Sequence, residues 1–459
     1  SNSKNKNLRS SIYCYFISLN VDYSCICTDF NISLNRRNFA RNDFMKVTQE
    51  KFFYELTNPQ KSIYLSEQFF DDPHIYIIPS WVEIKQKNVN FSLLEQAVNN
   101  TVKNNDACRT RFIKQNDKVY QYFENYVPFD VQKIEISDIS ELEDFIKGIT
   151  FDIYSSAPIK FIMFENLSNG FGGLCCILHH LIGDAWSLSL ILEEILKIYN
   201  SLISPDVNYK QRISSYKNFI DQESEYLSSD KFQKDKEYWE EKYNESSDIF
   251  SFKNSDNIFE TKSKRISYKL PKEIKEYCIK NKISIFSFFY SIIAIYFSRL
   301  LNQSEVIIGT PYLNRTNINE KNSMGMFIST LPFKQNINDE ESVLKLIKDV
   351  TVSEIGALRH QRYPYSELQK YYTLKYGRTR NLYDILFSYQ NAKADNTGLT
   401  FDFESKWVFT DHQVESIAIS ISDIDGKDVF RIDYDFLVNI FSDKEIMQIH
   451  NRILYIASA

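Results

Sequence analysis

Along this chain the spacing of apolar positions switches repeatedly between the helical and the extended period. The stretch Gly173-Leu174-Cys175-Cys176-Ile177-Leu178 is short and continuously apolar, as expected of a strand covered on both faces. It ends at His179 and His180. Beyond Asp184, the positions Leu188, Ile191, Leu192, Ile195, Leu196 and Tyr199 recur at three- and four-residue intervals, which predicts an amphipathic helix. The local order is therefore buried strand, polar turn, helix. Upstream, Ser92-Leu93-Leu94-Glu95 predicts a capping box opening a helix through about Val102, and residues 108–112 and 118–124 predict the entry to a strand pair. Downstream, residues 283–301 are apolar but interrupted by Ser284, Ser287, Ser291, Ser298 and Arg299. That falls short of the roughly 20 unbroken apolar residues of a membrane span and predicts a buried helix. Val306-Ile307-Ile308 leads into a predicted turn at Gly309-Thr310-Pro311, with strands predicted near 327–334, 384–391, 417–422 and 430–436. Helices alternating with strands, without a short-period repeat, indicate a layered α/β architecture.

Length changes the picture from one layer set to two. A chain of 459 residues exceeds one ordinary compact core, so two lobes of roughly 200 residues each are expected. The polar stretch 208–255, rich in Lys, Glu, Asp and Ser, predicts a crossing between them with an amphipathic helix near 231–243. The predicted divisions are 1–46, a segment without assigned role, then lobes at 47–225 and 226–459. A hydrophobic fraction of 43% with only 11 Gly and 10 Pro excludes a disordered linker protein. The net charge of −6 and scattered basic residues give no sign of a nucleic-acid surface, and no membrane role is indicated. The 7 cysteines form no CxxC pair and have no matching histidine cluster, so no metal site and no disulfide framework are expected, and a reduced, cytoplasmic setting fits. The first 43 or so residues lack a signal-peptide pattern.

Candidate chemistry concentrates in His179-His180-Leu181-Ile182-Gly183-Asp184, which holds the sole adjacent pair among 6 histidines and sits on a turn after a buried strand. Consecutive side chains of an extended segment face opposite ways, so one imidazole can face a cavity while the other faces the interior. Asp184 can orient an imidazole or a cation. It is equally well placed to be the N-cap of the following helix. Spacing alone leaves both readings open, as it leaves open a structural or a catalytic histidine pair.

The motif His179 to Asp184, followed by Ala185-Trp186-Ser187, resembles the HHxxxDG signature of condensation domains of nonribosomal peptide synthetases. Six other segments resemble that family's motifs in the family's order. They are Gln60-Lys61-Ser62-Ile63-Tyr64-Leu65, Asp106-Ala107-Cys108-Arg109-Thr110-Arg111-Phe112, Tyr216-Lys217-Asn218-Phe219, Ile308 to Arg315 with Met324-Gly325-Met326-Phe327, His360-Gln361-Arg362-Tyr363-Pro364-Tyr365, and Arg380 to Asp384 with Phe387-Ser388-Tyr389-Gln390-Asn391. Three departures stand out. Ala185 replaces the usual glycine, Asn104 stands where the second motif has a leading arginine, and the seventh motif lacks its proline.

The resemblance implies an α/β fold of two chloramphenicol-acetyltransferase-like lobes, arranged as a V-shaped pseudo-dimer with a tunnel between them. It implies an acyltransferase that forms a peptide bond between a carrier-bound donor acyl or peptidyl thioester and a carrier-bound acceptor aminoacyl thioester. The partners implied are upstream and downstream peptidyl carrier proteins and an adjacent adenylation domain, the excised domain being monomeric. Substrates arrive on phosphopantetheine arms, and no cofactor or metal belongs to the domain itself. The candidate catalytic set is His180, His179 and Asp184, with His180 the reactive imidazole and His179 packed inward. Arg315 is expected to ion-pair with Asp184, Arg109 being the other candidate partner. Ala185, Trp186 and Ser187 support the site, and Met324, Gly325, Phe327, Tyr389, Gln390 and Asn391 border the tunnel. His360, His412 and His450 are expected to be structural or on the surface. An epimerisation domain, a stand-alone HHxxxD acyltransferase and a non-catalytic carrier-docking module are the alternatives.

Overall fold

The computed structural model describes residues 52–459 except 205, 208, 212–213, 246–248, 378–380, 391–396 and 423–429. The predicted segment 1–46, Arg380 and Asn391 lie outside the described residues.

In chain order, the first half contains β1 (Tyr54–Glu55), α1 (Asn58–Phe70), β2 (Ile77–Lys87), α2 (Phe91–Asn104), β3 (Thr110–Gln115), β4 (Lys118–Phe123), β5 (Gln132–Ile136), α3 (Ile139–Lys147), β6 (Ile159–Asn166), β7 (Phe171–His179), α4 (Ala185–Ile203), α5 (Lys217–Leu227) and α6 (Asp230–Lys242). The second half contains β8 (Ser263–Lys269), α7 (Lys272–Asn281), α8 (Ile285–Leu301), β9 (Glu305–Tyr312), α9 (Ile318–Lys321), β10 (Ser329–Asn336), α10 (Val343–Arg359), α11 (Tyr365–Tyr376), β11 (Ile385–Gln390), β12 (Phe403–Trp407), β13 (Ile417–Ser422), β14 (Arg431–Leu437) and α12 (Asp443–Ser458). Among the described residues no single helix is long and apolar enough to cross a membrane.

Two large mixed sheets carry the fold. The first has the order β12-β2-β7-β6-β5, and the second β10-β9-β11-β13-β14-β8, while β1, β4 and β3 form a small third sheet. Strand β7 is central, and its alternation fills two cores: Leu174, Cys176 and Leu178 pack with α2 and α4, while Cys175 and Ile177 pack with Trp81, Ile162 and the α3 residues Leu142 and Ile146. This two-sided burial is why the run is apolar at every position. The second sheet is backed by α8, whose Phe286, Phe289, Tyr290, Ile293 and Phe297 join the larger core.

Two sequence expectations are corrected here. Helix α2 starts two residues earlier than the Ser92 capping box, because Asn90 accepts from the Leu93 N–H at 3.1 Å and Glu95 is engaged elsewhere, accepting from Val131 N–H at 2.8 Å. Gly309, Thr310 and Pro311 are not a turn but the middle of β9, paired with Pro332, Leu331 and Thr330 of β10. Pro311 is tolerated because β11 pairs with β9 only at Gly309, leaving the other side of the strand free of a ladder. A division after residue 225 falls inside α5, which runs to Leu227; the cores separate between α5, with Phe219 in the first, and α6, with Trp239 in the second. Strand β12 returns to pair antiparallel with β2, and Phe401 enters the first core.

Candidate active site

The turn after β7 is built by backbone and side-chain bonds from three directions. The His180 N–H donates to Tyr76 carbonyl oxygen at 2.8 Å, and the His179 N–H to Pro158 at 2.9 Å. His179 is buried, and its Nδ1 accepts from the Leu181 N–H at 3.2 Å. That bond fixes the tautomer, so Nε2–H donates to Glu67 Oε1 at 3.0 Å. Helix α1 supplies Glu67 and also Gln60, whose Nε2 donates to the Leu181 carbonyl at 2.8 Å. Gln60 completes a capping box with Thr57 at the start of the same helix. The segment 60–65 thus holds the turn.

Asp184 ends the turn and caps α4 through the Ser187 N–H at 2.8 Å. Its two oxygens also take both arms of Arg315, at 2.7 and 3.1 Å, and the N–H groups of Phe327 and Ile328 at 3.2 and 3.3 Å. Both charged side chains are fully buried. Burial alone would push the Asp184 carboxyl up, but the Arg315 charge and these donors outweigh it and hold it below the usual carboxylate range. The cap and ion-pair readings are therefore both true of one residue. Ser187 joins the network, its hydroxyl donating to the Gly325 carbonyl at 2.7 Å and accepting from the Gly325 N–H at 3.0 Å.

Residues 324–327 are pressed onto this network. Gly325 has φ +147°, and a Cβ there would lie 2.0 Å from the Tyr216 ring, so only glycine fits. The Tyr216 hydroxyl in turn donates to Met326 carbonyl at 2.9 Å. Phe327 is sandwiched, with Phe219 at 4.2 Å between ring centroids and the Arg315 guanidinium 4.1 Å over its face. Four of the segments singled out in the sequence, around residues 60, 180, 216 and 315–325, meet here.

His180 is the less buried of the two histidines. It is half-buried, its ring edge-on to Tyr76 at 6.1 Å, with Nδ1 3.3 Å from Met326 Sδ. Burial lowers its pKa to about 4, against the opposing pull of the Asp184 carboxylate. The imidazole is accordingly neutral at physiological pH and carries an unprotonated nitrogen able to accept a hydrogen bond.

The other predicted residues divide. Ala185 is the first residue of α4, and the Trp186 indole donates to Lys321 carbonyl at 2.9 Å, tying α4 to α9. Met324 and Phe327 are corrected from cavity-bordering to core positions, being 1% and 0% exposed, with Met324 against Cys108. Met326 faces His180 instead. The sequence placed it in the same segment, but helix-free glycine turns give no signal of which side chain points where. Tyr389 and Gln390 lie half-buried on β11. Arg109 is corrected as a partner of Asp184. It closes the 3-10 turn Ala107–Arg109 and donates to the carbonyls of Val102, Lys103, Asn105 and Glu124. His360 bonds the buried Asp235 at 2.5 Å and stacks on Tyr238, and His450 stacks on Tyr268. His412 bonds Asp72.

Comparison with known proteins agrees with this construction. The chain is 27% identical over 416 residues to surfactin synthase subunit 1 of Bacillus subtilis (strain 168), covering 88% of this chain and 12% of that protein. It is 23% identical over 416 residues to bacitracin synthase 3 of Bacillus licheniformis, covering 88% of this chain and 6% of that one. The chain thus spans well under a fifth of these relatives. Among solved structures, the starter condensation domain of rhizomide synthetase in complex with C8-CoA superposes with TM-score 0.79 at 16% identity, covering 89% of this chain and 95% of that one. The first condensation domain of the calcium-dependent antibiotic synthetase gives 0.74 at 15% identity, covering 88% and 96%. These similarities place the α/β fold with those of condensation domains. The family model for the condensation domain matches residues 50–459, and the chain belongs to that family.

Proposed function

We propose that this domain forms an amide bond between a donor acyl or peptidyl thioester and an acceptor aminoacyl thioester, each presented on the phosphopantetheine arm of a carrier protein. The observation that carries the proposal is a neutral, half-buried His180 set on a turn that Asp184, Arg315 and His179 hold rigid. The reaction needs an unprotonated amine beside the donor carbonyl, and its entropic cost is met by holding the two together. The amine attacks the carbonyl carbon, the tetrahedral intermediate loses its ammonium proton, and the thiolate leaves as the carbonyl reforms.

The lowered pKa of His180 favours a positioning part over that of a strong base. Burial lowers the His180 pKa to about 4, which makes the imidazole a weak base toward a ground-state ammonium. Accepting a hydrogen bond from an amine that arrives neutral needs no strong base. His180 therefore orients the amine lone pair toward the thioester and accepts the more acidic proton of the zwitterionic intermediate. Asp184, Arg315 and His179 are positioning residues. The domain works between an upstream and a downstream carrier within a multidomain synthetase, with an adenylation domain as neighbour.

The test is to load one carrier with an aminoacyl or acyl donor and another with an aminoacyl acceptor, add the domain, and read the acceptor carrier by intact mass. Acceptor carrying both residues is the expected product. Inversion of a bound stereocentre without condensation would replace the proposal with epimerisation. Carrier binding with neither product across a broad donor and acceptor panel would replace it with a docking role.

A further inference from the structure

A second cluster of titratable side chains lies outside the site just described. Asp72 and His74 sit in the connection from α1 to β2, and His412 follows β12 on the segment returning from the second half of the chain. The His412 Nδ1 lies 2.6 Å from Asp72 Oδ2 and the His74 Nδ1 3.3 Å from Asp72 Oδ1, while the two imidazoles stack at 4.9 Å between centroids. Stacking turns both Nδ1 atoms to one side, toward one carboxylate. The three ligand atoms all fall within 4.8 Å of one another.

We propose that Asp72, His74 and His412 bind a divalent transition-metal ion of the zinc class. Two imidazoles and a carboxylate are the donor set of three-ligand zinc sites, which keep a fourth position for water. Half-burial of all three side chains leaves that position open to solvent. Tetrahedral ligation at about 2.0–2.1 Å puts ligand atoms about 3.3 Å apart. The two histidines approach different oxygens of Asp72, His74 Nδ1 at 3.3 Å from Oδ1 and His412 Nδ1 at 2.6 Å from Oδ2, so ligation through one oxygen requires the carboxylate to turn and the His412 contact to open. The Thr261 hydroxyl donates to Asp72 Oδ2 and the His74 N–H donates to Oδ1 at 2.9 Å, so the carboxylate is oriented as metal-ligating carboxylates are. The ion would pin the segment carrying β12 to the first sheet. His412 stands 340 residues from Asp72 in the chain, so no local motif marks the cluster.

The experiment takes the full chain stripped with EDTA, then titrates ZnCl2 while reading bound zinc by elemental analysis and the melting temperature, with Co2+ as a spectroscopic probe. The expected result is one zinc per chain, a melting temperature raised by a few degrees and a tetrahedral Co2+ absorption band. His74→Gln, whose hydrogen bond in the metal-free protein is long, is expected to keep the metal-free melting temperature and lose all three responses. No zinc uptake by the wild-type chain overturns the proposal, and so does uptake with the same stoichiometry and thermal shift in both His74→Gln and His412→Gln.

Discussion

Asp184 answers two demands with one carboxylate: it caps α4 and neutralises Arg315 in a buried setting. Removing one partner of such a pair strands a charge away from water, which typically costs about 3–5 kcal/mol. Asp184→Ala is therefore expected to lower unfolding stability by that amount in urea titration; a loss under about 1 kcal/mol would mean that the pair contributes little to holding the turn. Arg315→Lys is expected to fail nearly as badly, because an ammonium cannot take both oxygens at once. His180 and His450 share a different vulnerability. Burial lowers both to about 4, below the ordinary histidine value of 6.5. The unfolded chain then binds more protons than the folded one between these values, so stability is complete above pH 6.5 and declines as pH falls toward 4. His450→Gln is expected to flatten that decline in unfolding measured between pH 7 and pH 4.5, and an unchanged slope would contradict the assignment.

At the scale of elements, β12 is the least local feature. It pairs with β2, over 300 residues earlier in the chain, and is anchored by Phe401, which is buried and edge-on to Tyr199 at 5.7 Å. Phe401→Ala deletes a buried aromatic ring and is expected to cost about 3–5 kcal/mol. If the segment is held as described, the variant is cleaved faster in limited proteolysis near residues 399–408; an unaltered cleavage pattern would show that other contacts hold it. This crossing left no trace in the sequence, since strand pairing at such separation has no local pattern. What was legible was what local chemistry dictates. Asp184 before an amphipathic run caps as residue type suggests. Ser92 misled because Asn90, two residues earlier, offers the same oxygen. Gly309 and Pro311 look like a turn, yet Gly309 is small because the Tyr383 ring lies against it, where a Cβ would be 2.4 Å away. The His179 to Asp184 turn was visible in full, whereas Met326, Tyr76 and Glu67 became visible only when the fold brought them to it.

For the whole molecule, the turn that ends the central strand β7 carries a neutral imidazole, and the proposed reaction brings to it an amine from one carrier and a thioester from another. The family membership stands on residues 50–459, and the proposed chemistry rests on His180. General acid-base and positioning groups of this kind contribute typically 10²–10⁴-fold to rate. The most direct measurement is the single-turnover rate of dipeptide formation between two loaded carriers, compared for the wild-type chain and His180→Ala after both are shown to melt alike. A rate at least about 100-fold lower in the variant is the predicted result. Equal rates in the two proteins would contradict the claim that His180 is the centre of the reaction.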